Sequence, residues 1–307
     1  MGENRLQLSA GFVSVSTALV LVALKSYVAL DSNSVGVLAS ALDSAFDVFS
    51  SVIILLAIIA AGKPADHDHR YGHGKAEALS GFVQSIVIVF SGLYIIYQAV
   101  MRFLEPRELE RIPESLLVMA FATIATFFLI TYQDYVARKT GSIAVKADRT
   151  HYLTDLLANM VVITSLILEK FFQMRLADLI AGALISLYII KSALEIFKES
   201  FDILMDKDLS HLYTDYLEEF VHKNSPDVLG YHNLRSRSAG NCVFLEFHLE
   251  MNKSLTFEKS HHLVEHLIAE LRARNKKLEV TIHSDPAELD EKSGKVRLLD
   301  DDHPTLF

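Results

Sequence analysis

The sequence is poor in cysteine and has no tryptophan: Cys242 is the single thiol among 307 residues. One cysteine excludes an intrachain disulfide and a cysteine-rich zinc cluster. The chain has no block of consecutive lysine and arginine residues, and its formal net charge is −9, so nucleic acid is not an expected partner. No cleavable secretory signal is evident, because the first apolar run is too long and lacks a small-residue cleavage site.

Apolar residues, by contrast, are abundant and unevenly spread. They make up 51% of the chain, and the mean hydropathy is +0.28, which a soluble domain with a polar surface rarely reaches. Long apolar runs fill the first two thirds of the sequence, and the last third is charged throughout. We therefore predict a membrane domain over residues 1–205, a domain in water over 206–290, and a flexible tail over 291–307.

Six apolar segments are long enough to cross a bilayer, which takes about 20 residues in a helix. They run Leu8–Leu30, Val35–Gly62, Ala78–Met101, Ser115–Tyr132, His151–Leu168 and Leu176–Phe197. An all-α bundle of six transmembrane helices is the expected fold. Six spans place both termini on one side, and the basic residues of the connections after the second and fourth spans favour the cytoplasm for that side.

The charged last third has the pattern of a small α+β domain. Amphipathic helical stretches and alternating strands occur in the order αββαβ, as in ferredoxin-like metallochaperones. The predicted elements are a helix Leu209–Lys223, strands Val228–Arg237 and Cys242–Glu250, a helix Phe257–Arg274 and a strand Leu278–His283.

Four ionisable residues inside the predicted spans indicate a cation site. Asp43 and Asp47 share one face of the second span, and His151 and Asp155 share one face of the fifth, because each pair is four residues apart. An ionised carboxylate inside the membrane costs at least about 2.5 kcal/mol. Three carboxylates and an imidazole fit tetrahedral zinc. The alternative is that these side chains lie near helix ends and reach water, above all His151 beside the loop.

Other charges in or near the spans have simpler interpretations. Asp148 is either a charge at the entrance to this site or a helix cap. Lys25 and Lys191 are long and lie towards span ends, so we expect both to snorkel to the membrane surface.

Histidines also cluster outside the membrane. The loop after the second span holds Asp66, His67, Asp68, His69 and His73 within eight residues, which is either a metal-gathering cluster or an ordinary solvated loop. In the last third, the αββαβ order can bring strand ends and the start of the second helix together. Five residues at these places form either a metal site or separate polar positions: His232, His248, His261, His283 and Asp285.

Several stretches together resemble the cation diffusion facilitator family, in particular its bacterial iron and zinc efflux members, over nearly the whole chain. They are SALDSAFDVFSS, PADHDHRYGHGKAEAL, KADRTHYLTD, LRSRSAGNCVFLEFHLEM and VTIHSDP. His67 is an additional histidine relative to the family pattern, and the tail after Glu291 does not match it.

The resemblance implies roles for these residues. Asp43, Asp47, His151 and Asp155 match the family's transport site. Asp66, His69 and His73 match a loop site. The cytoplasmic zinc site that supports a homodimer is matched by His232, His248, His261, His283 and Asp285. Lys75 matches a lysine that pairs with an aspartate below the membrane, for which Asp206 is the best match.

The expected function is export of a divalent metal in exchange for protons, by alternating access, from a homodimer in the bacterial inner membrane. Zn²⁺ is the expected ion, both transported and structural, with Fe²⁺, Cd²⁺, Co²⁺ or Mn²⁺ as alternatives. A second interpretation is a membrane metal receptor that transports nothing. A di-metal oxidase is not expected, because the apolar helices lack the Glu-x-x-His motifs of such enzymes.

Overall fold

The computed structural model describes residues 2–32, 35–104, 113–172, 175–289 and 296–298; within these, some side chains, including that of Asp43, lie outside the described set. The chain divides into two compact units after Leu204. The first unit consists of six long helices, as predicted. They are α1 Gly2–Ser32, α2 Val35–Ala61, α3 Lys75–Leu104, α4 Pro113–Thr140, α5 Ile143–Phe172 and α6 Arg175–Leu204.

Three of these helices are long and apolar enough to cross a membrane over described residues, in the segments Gly2–Val28, Ser44–Ala61 and Lys75–Met101. Helices α4, α5 and α6 are covered only in part, since stretches of their side chains lie outside the described set. Large apolar side chains such as Phe46, Phe90 and Phe128 are exposed on the outside of the helices, where lipid rather than water would surround them.

The six helices pack in a way that brings α2 and α5 together. Helix α1 lies along α2, α3 lies along α6, and α5 contacts α2, α4 and α6. Small residues permit the closest approach: a Cβ at Gly92 of α3 would lie 2.8 Å from Ile190 Cγ1 of α6. At one end of the bundle, Ile54, Ile58 and Val136 form a buried apolar cluster from α2 and α4.

The second unit has the predicted αββαβ order. A short 3-10 turn at Ser210–Leu212 precedes α7 Thr214–Lys223, and the sheet order is β1-β2-β3-β4. Strands β1 and β2 are antiparallel, β2 and β3 are parallel, and β3 and β4 are antiparallel. The remaining elements are β1 Val228–Ala239, β2 Cys242–Asn252, α8 Phe257–Arg274, β3 Leu278–Leu289 and β4 Val296–Leu298.

Among the described residues of the second unit, helices α7 and α8 cover one face of the sheet. On β2, Leu245, Phe247 and Leu249 are buried in the core that also contains Leu217 of α7 and Leu267 of α8. Because successive residues of a strand point to opposite faces, the residues between them lie on the face away from that core. That face carries the strand histidines of the second unit, His232, His248 and His283.

The structure corrects three expectations. Strand β4 lies within the tail expected to be flexible, where Val296–Leu298 pairs with the end of β3. Helix α5 begins at Ile143, so His151 lies two turns inside a helix rather than beside a loop. Lys25 does not snorkel: its Nζ donates a 2.8 Å hydrogen bond to Ser44 Oγ of α2.

Candidate metal centres

Within the membrane unit, Asp47 of α2 meets His151 and Asp155 of α5, and we name these three residues the helix triad. One ligand atom from each lies within 4.8 Å of the others. The Nε2 atom of His151 is 3.2 Å from Asp47 Oδ1 and 3.8 Å from Asp155 Oδ2. The spacing of four on α5 and the contact between α2 and α5 together create this cluster. The side chain of Asp43 lies outside the described set; its backbone is one turn before Asp47 on α2.

The members of the helix triad differ in exposure: the side chains of Asp47 and Asp155 are 20% and 40% exposed, whereas His151 is buried. His151 is 7% exposed, and its Nδ1 is buried without a hydrogen-bond partner among the described residues. Two carboxylates close together repel each other unless a cation or a proton lies between them. The oxygen and nitrogen donors present suit zinc, iron or cobalt better than magnesium or calcium.

A second polar cluster, which we name the buried network, lies next to the helix triad. Ser51 Oγ is 3.0 Å from Ser14 Oγ and 2.9 Å from Tyr152 OH, and it donates at 3.5 Å to Asp148 Oδ1. Gln133 Nε2 donates at 2.6 Å to Asp148 Oδ2. Helices α1, α2, α4 and α5 each contribute at least one of these side chains. Helix α5 begins at Ile143, so Asp148, which is only 2% exposed, lies inside the helix and is not its cap; a role as a charge at the entrance to the site stays a prediction.

The buried network sets the position of the helix triad. Ser51 is one helical turn after Asp47 on α2, and Tyr152 follows His151 directly on α5. The hydrogen bond between Ser51 and Tyr152 therefore fixes α2 against α5 at the height of the triad. The sequence indicated that Asp148 lies near the site, because its spacing of three from His151 places both on a similar helix face. No sequence pattern indicated the hydroxyl and amide side chains that bind Asp148.

In the connection between α2 and α3, Asp66 gathers His69 and His73, and we name these residues the loop triad. Asp66 Oδ2 is 3.3 Å from His73 Nε2, and Asp66 Oδ1 is 3.5 Å from His69 Nδ1. Gly72, at φ +78°, turns the chain so that His73 returns to Asp66. Of the loop residues that the structure describes, the additional His67 is not part of this group; it lies beside Asp68 with its side chain 90% exposed.

Backbone hydrogen bonds keep Asp66 ready to bind a cation. Its Oδ1 accepts the N–H of His69 at 2.7 Å and that of Asp68 at 3.0 Å. The N–H of His69 holds the pKa of this carboxyl below its usual value. The carboxylate is therefore ionised at any pH at which the neighbouring histidines are neutral enough to bind a metal.

In the second unit, the register of three strands aligns three histidines in one row on the uncovered face. His232 of β1 pairs with His248 of β2, and His248 pairs with His283 of β3. Asp285, two residues after His283, closes the group with His232 and His248, and we name these three residues the sheet triad. Asp285 Oδ2 is 2.8 Å from His248 Nδ1 and 3.4 Å from His232 Nε2.

Glu250 is a further member of this cluster that sequence reasoning missed. Its Oε1 lies 2.9 Å from His232 Nδ1, which leaves the Nε2 of that ring directed towards Asp285. A carboxylate on the second nitrogen of a ligating histidine fixes its tautomer and orientation. A Cβ at Gly230 would lie 2.5 Å from Glu250 Oε2, so glycine makes room for this carboxylate. The signal was the spacing His248-x-Glu250, which puts both on one face of β2.

Two other residues predicted for the site on the sheet, His283 and His261, lie outside the sheet triad. His283 Nε2 is 3.1 Å from Asp285 Oδ1, with its side chain 69% exposed, so it borders the sheet triad. His261 lies exposed on α8 with its ring stacked on Phe257, and it is not among the described side chains grouped around Asp285. The predicted pairing of Lys75 with Asp206 joins the two units and stays a prediction.

Each of the two units matches a known sequence family. The sequence profile of the cation efflux transmembrane domain matches residues 11–205, and that of the cytoplasmic domain of cation efflux proteins matches residues 209–287. The chain belongs to the cation efflux family. The resemblance to cation diffusion facilitators is thereby confirmed over both units.

Proteins from several bacteria align with almost the whole chain. Protein p34 of Rickettsia rickettsii is 36% identical over 289 residues, covering 94% of this chain and 95% of that protein. The cation-efflux pump FieF of Shewanella oneidensis is 36% identical over 281 residues, covering 92% and 94%. FieF of Pectobacterium atrosepticum is 33% identical over 294 residues, covering 96% and 97%.

Membership in the cation efflux family establishes the class of activity. The chain is a membrane-bound cation efflux transporter and not an enzyme. The expectation of a transporter rather than a di-metal oxidase is confirmed. The ion, the coupling to protons and the roles of the three triads go beyond what family membership establishes.

Proposed function

We propose that this transporter exports zinc in exchange for protons, with the helix triad and Asp43 as its transport site. The observation that carries the proposal is the meeting of Asp47 with His151 and Asp155 between two membrane helices. One ligand atom from each lies within 4.8 Å of the others. Intramembrane ionisable groups that converge in this way mark ion pathways rather than packing contacts.

Charge balance explains why a metal stabilises this site. Asp43, Asp47 and Asp155 carry three negative charges when ionised, and a divalent ion leaves one. Bringing several like charges into a low-dielectric bundle is costly, and a bound cation offsets that cost. Without metal, protons take the same place on the same atoms. Metal and protons then exclude each other, as exchange requires.

Alternating access then couples the two ions. Facing a near-neutral cytoplasm, the groups lose protons and bind metal; facing a more acidic exterior, they gain protons and release it. Histidine suits this exchange, since its unperturbed pKa of about 6.5 lies between the two pH values. The donor set of oxygen and imidazole supports zinc first, with Fe²⁺, Cd²⁺, Co²⁺ and Mn²⁺ as alternative cargoes.

The other two clusters serve different stages in this proposal. The loop triad gathers metal at the cytoplasmic surface. The sheet triad, bordered by His283, holds a resident zinc ion that strengthens a homodimer in the bacterial inner membrane, with both termini cytoplasmic. The uncovered face of the sheet supports this assignment, because ligands there are accessible to a second copy.

The test is zinc flux in proteoliposomes that contain a zinc-sensitive dye and carry an imposed proton gradient. Asp47→Ala removes a predicted ligand. Glu195→Gln is the matched control, since Glu195 of α6 is 63% exposed and its Oε1 is 4.0 Å from Lys191 Nζ, away from the site. We expect gradient-driven flux in wild type and in the control, and none in Asp47→Ala.

Other outcomes contradict separate parts of the proposal. Zinc flux that persists in Asp47→Ala would show that the transport pathway does not depend on the helix triad. Flux that ignores the proton gradient removes the antiport mechanism. Iron flux without zinc flux replaces the cargo, and the absence of flux for every divalent metal tested favours the receptor interpretation.

A further inference from the structure

Strand β1 is irregular directly after His232. The register with β2 shifts between the pair of His232 with His248 and the pair of Arg235 with Glu246. Across this shift β1 advances three residues where β2 advances two, so β1 contains one extra residue. Asn233, which follows His232, begins this β-bulge. Bulges beside functional sites often redirect a side chain, and the side chain next to this one is a candidate zinc ligand.

Asn233 has the backbone conformation on which this bulge depends. Its φ is +51°, in the left-handed region, which glycine adopts freely and asparagine more readily than most other residues. A residue in that region is typical of the first position of one class of bulge. The side chain of Asn233 is exposed and forms no hydrogen bond with another described residue. The contribution of this asparagine is therefore its backbone conformation.

The strand is anchored on the far side of the bulge. Asp208 accepts hydrogen bonds from the backbone N–H of Ser236 at 2.9 Å and from its hydroxyl at 2.8 Å. The hydroxyl oxygen of Ser236 also accepts the backbone N–H of Leu209. Ser236 pairs with Leu245 of β2. These contacts fix the register of β1 after the bulge, independently of His232.

With that register fixed, the bulge decides which residue of β1 enters the row of histidines. If Asn233 were extended, the pairing would continue from Ser236 without interruption. Asn233, and not His232, would then lie opposite His248. His232 would lie opposite Leu249, whose side chain is buried in the core. A slip of one residue moves a side chain to the other face of the sheet, so the imidazole would leave the sheet triad.

We propose that Asn233 is a positioning residue of the sheet triad, because its left-handed backbone holds the bulge that places His232 in the metal site. The inference rests on the zinc site proposed for the second unit. Asn233 acts through the register of β1 and not by binding the metal. Both ring nitrogens of His232 depend on this placement: Nε2 is 3.4 Å from Asp285 Oδ2, and Nδ1 is 2.9 Å from Glu250 Oε1.

Non-additivity separates this role from a contribution to stability alone. If Asn233 acts by placing His232, its substitution has no further effect on zinc affinity once the imidazole has been removed. A residue that only stabilises the sheet would weaken zinc binding by the same factor with or without His232. A double-mutant cycle measures this difference.

The experiment is zinc titration of the full-length protein in detergent, with Asp47→Ala and Asp66→Ala present to impair the other two triads. Asn233→Val places a branched residue where a left-handed backbone is needed, and Asn233→Gly keeps that backbone accessible. Ser238→Val is the matched control, since it adds the same side chain to a regularly paired part of β1. His232→Ala and its combination with Asn233→Val complete the cycle.

We expect Asn233→Val to weaken zinc binding by about tenfold or more. Asn233→Gly and Ser238→Val should stay within a few fold of the background, and the combined variant should bind no more weakly than His232→Ala. Unchanged affinity in a folded Asn233→Val protein overturns the proposal, and so does a further loss in the combined variant.

A variant with alanine covers the case in which Asn233→Val does not fold. Alanine also disfavours the left-handed region but is less demanding than valine, so Asn233→Ala should bind zinc more weakly than Asn233→Gly. Equal affinities of these two variants overturn the role of Asn233. Zinc binding that does not change in His232→Ala overturns the zinc site of the second unit itself.

Discussion

The helix triad and the sheet triad use the same residue types on different scaffolds. On helices, a spacing of four residues and one helix contact bring Asp47, His151 and Asp155 together. In the second unit, strand register places His232 beside His248, with Asp285 two residues beyond the paired His283. The first cluster is formed between two separate helices, so its geometry depends on how α2 and α5 pack. The second is formed within one hydrogen-bonded sheet, which holds its ligands at fixed spacing.

The two triads also differ in their ratio of carboxylate to imidazole ligands. The helix triad has two carboxylates to one imidazole, and Asp43 adds a third acidic group. The sheet triad has two imidazoles to one carboxylate, with His283 at its border. Imidazole-rich sites retain zinc with little residual charge, whereas carboxylate-rich sites leave charge that protons readily compensate. Exchange therefore suits the helix triad and retention suits the sheet triad.

The largest expected effect on zinc flux comes from removing one ligand of the helix triad, and removing one ligand of the sheet triad serves as the comparison. Asp155→Ala should lower zinc flux more than about a hundredfold, because removing a ligand costs at least as much as losing its supporting contacts. His248→Ala should leave flux within a few fold of wild type, although it removes zinc from the second unit. Flux assays in proteoliposomes and zinc content per chain measure both. An equal loss of flux in the two variants would contradict the assignment of exchange to the helix triad and of retention to the sheet triad.

Metal selectivity should change next most strongly. In His151→Asp, the helix triad loses its only imidazole and becomes an all-oxygen site, which harder ions accept. We expect the preference for zinc over manganese to fall by about tenfold or more. Competition between the two ions in the flux assay measures this. Unchanged preference would show that backbone geometry, not the imidazole, selects the ion.

In the sheet, the supporting carboxylate offers a smaller test. Glu250→Gln should weaken zinc binding at the sheet triad by about tenfold to a hundredfold, because His232 loses the charge that orients it. Gly230→Ala should act in the same direction, since its Cβ would lie 2.5 Å from Glu250 Oε2. Glu246→Gln, four residues earlier on the same face of β2, is the control. Zinc titration in an Asp47→Ala background, where the helix triad is impaired, reports the affinity; an effect of equal size in the control would argue against a specific role for Glu250.

The smallest expected effect concerns the buried network of the membrane unit. Tyr152→Phe removes one hydroxyl 2.9 Å from Ser51 Oγ and keeps the aromatic ring. We expect a loss of about 1–2 kcal/mol in stability, seen as a lower melting temperature in detergent, together with a modest fall in zinc affinity at the helix triad. A lower melting temperature without any change in zinc affinity would mean that the network stabilises the bundle but does not position the triad.

Several features were predictable because they depend on local periodicity. Six apolar runs gave six helices, and alternation with turn signals gave the αββαβ order. The pairs of ionisable residues four positions apart in α2 and α5 predicted the candidate transport site without any information on helix packing. Strand β4 was missed, because a three-residue edge strand in a polar tail has too short a pattern to distinguish it from a loop.

Other features depend on partners distant in sequence. No spacing links Ser14, Ser51 and Gln133 to Asp148, and none links Gly230 to Glu250. Lys25 was expected to reach the membrane surface, because side-chain length permits it; only the contact between α1 and α2 shows that it reaches Ser44 instead. His261 was predicted at the start of the second helix and grouped with the sheet histidines; it does lie on α8, but the described side chains grouped around Asp285 do not include it.

The sequence by itself thus determined the family, the two kinds of domain and most of the candidate ligands, since these follow from hydropathy and from spacing along single helices and strands. Only the tertiary structure decided which ligands meet, which carboxylates support them and where the remaining charges point. The physical reason is that hydrogen bonds and ion pairs between elements depend on distances of a few ångströms, which packing sets and the pattern of one segment does not contain.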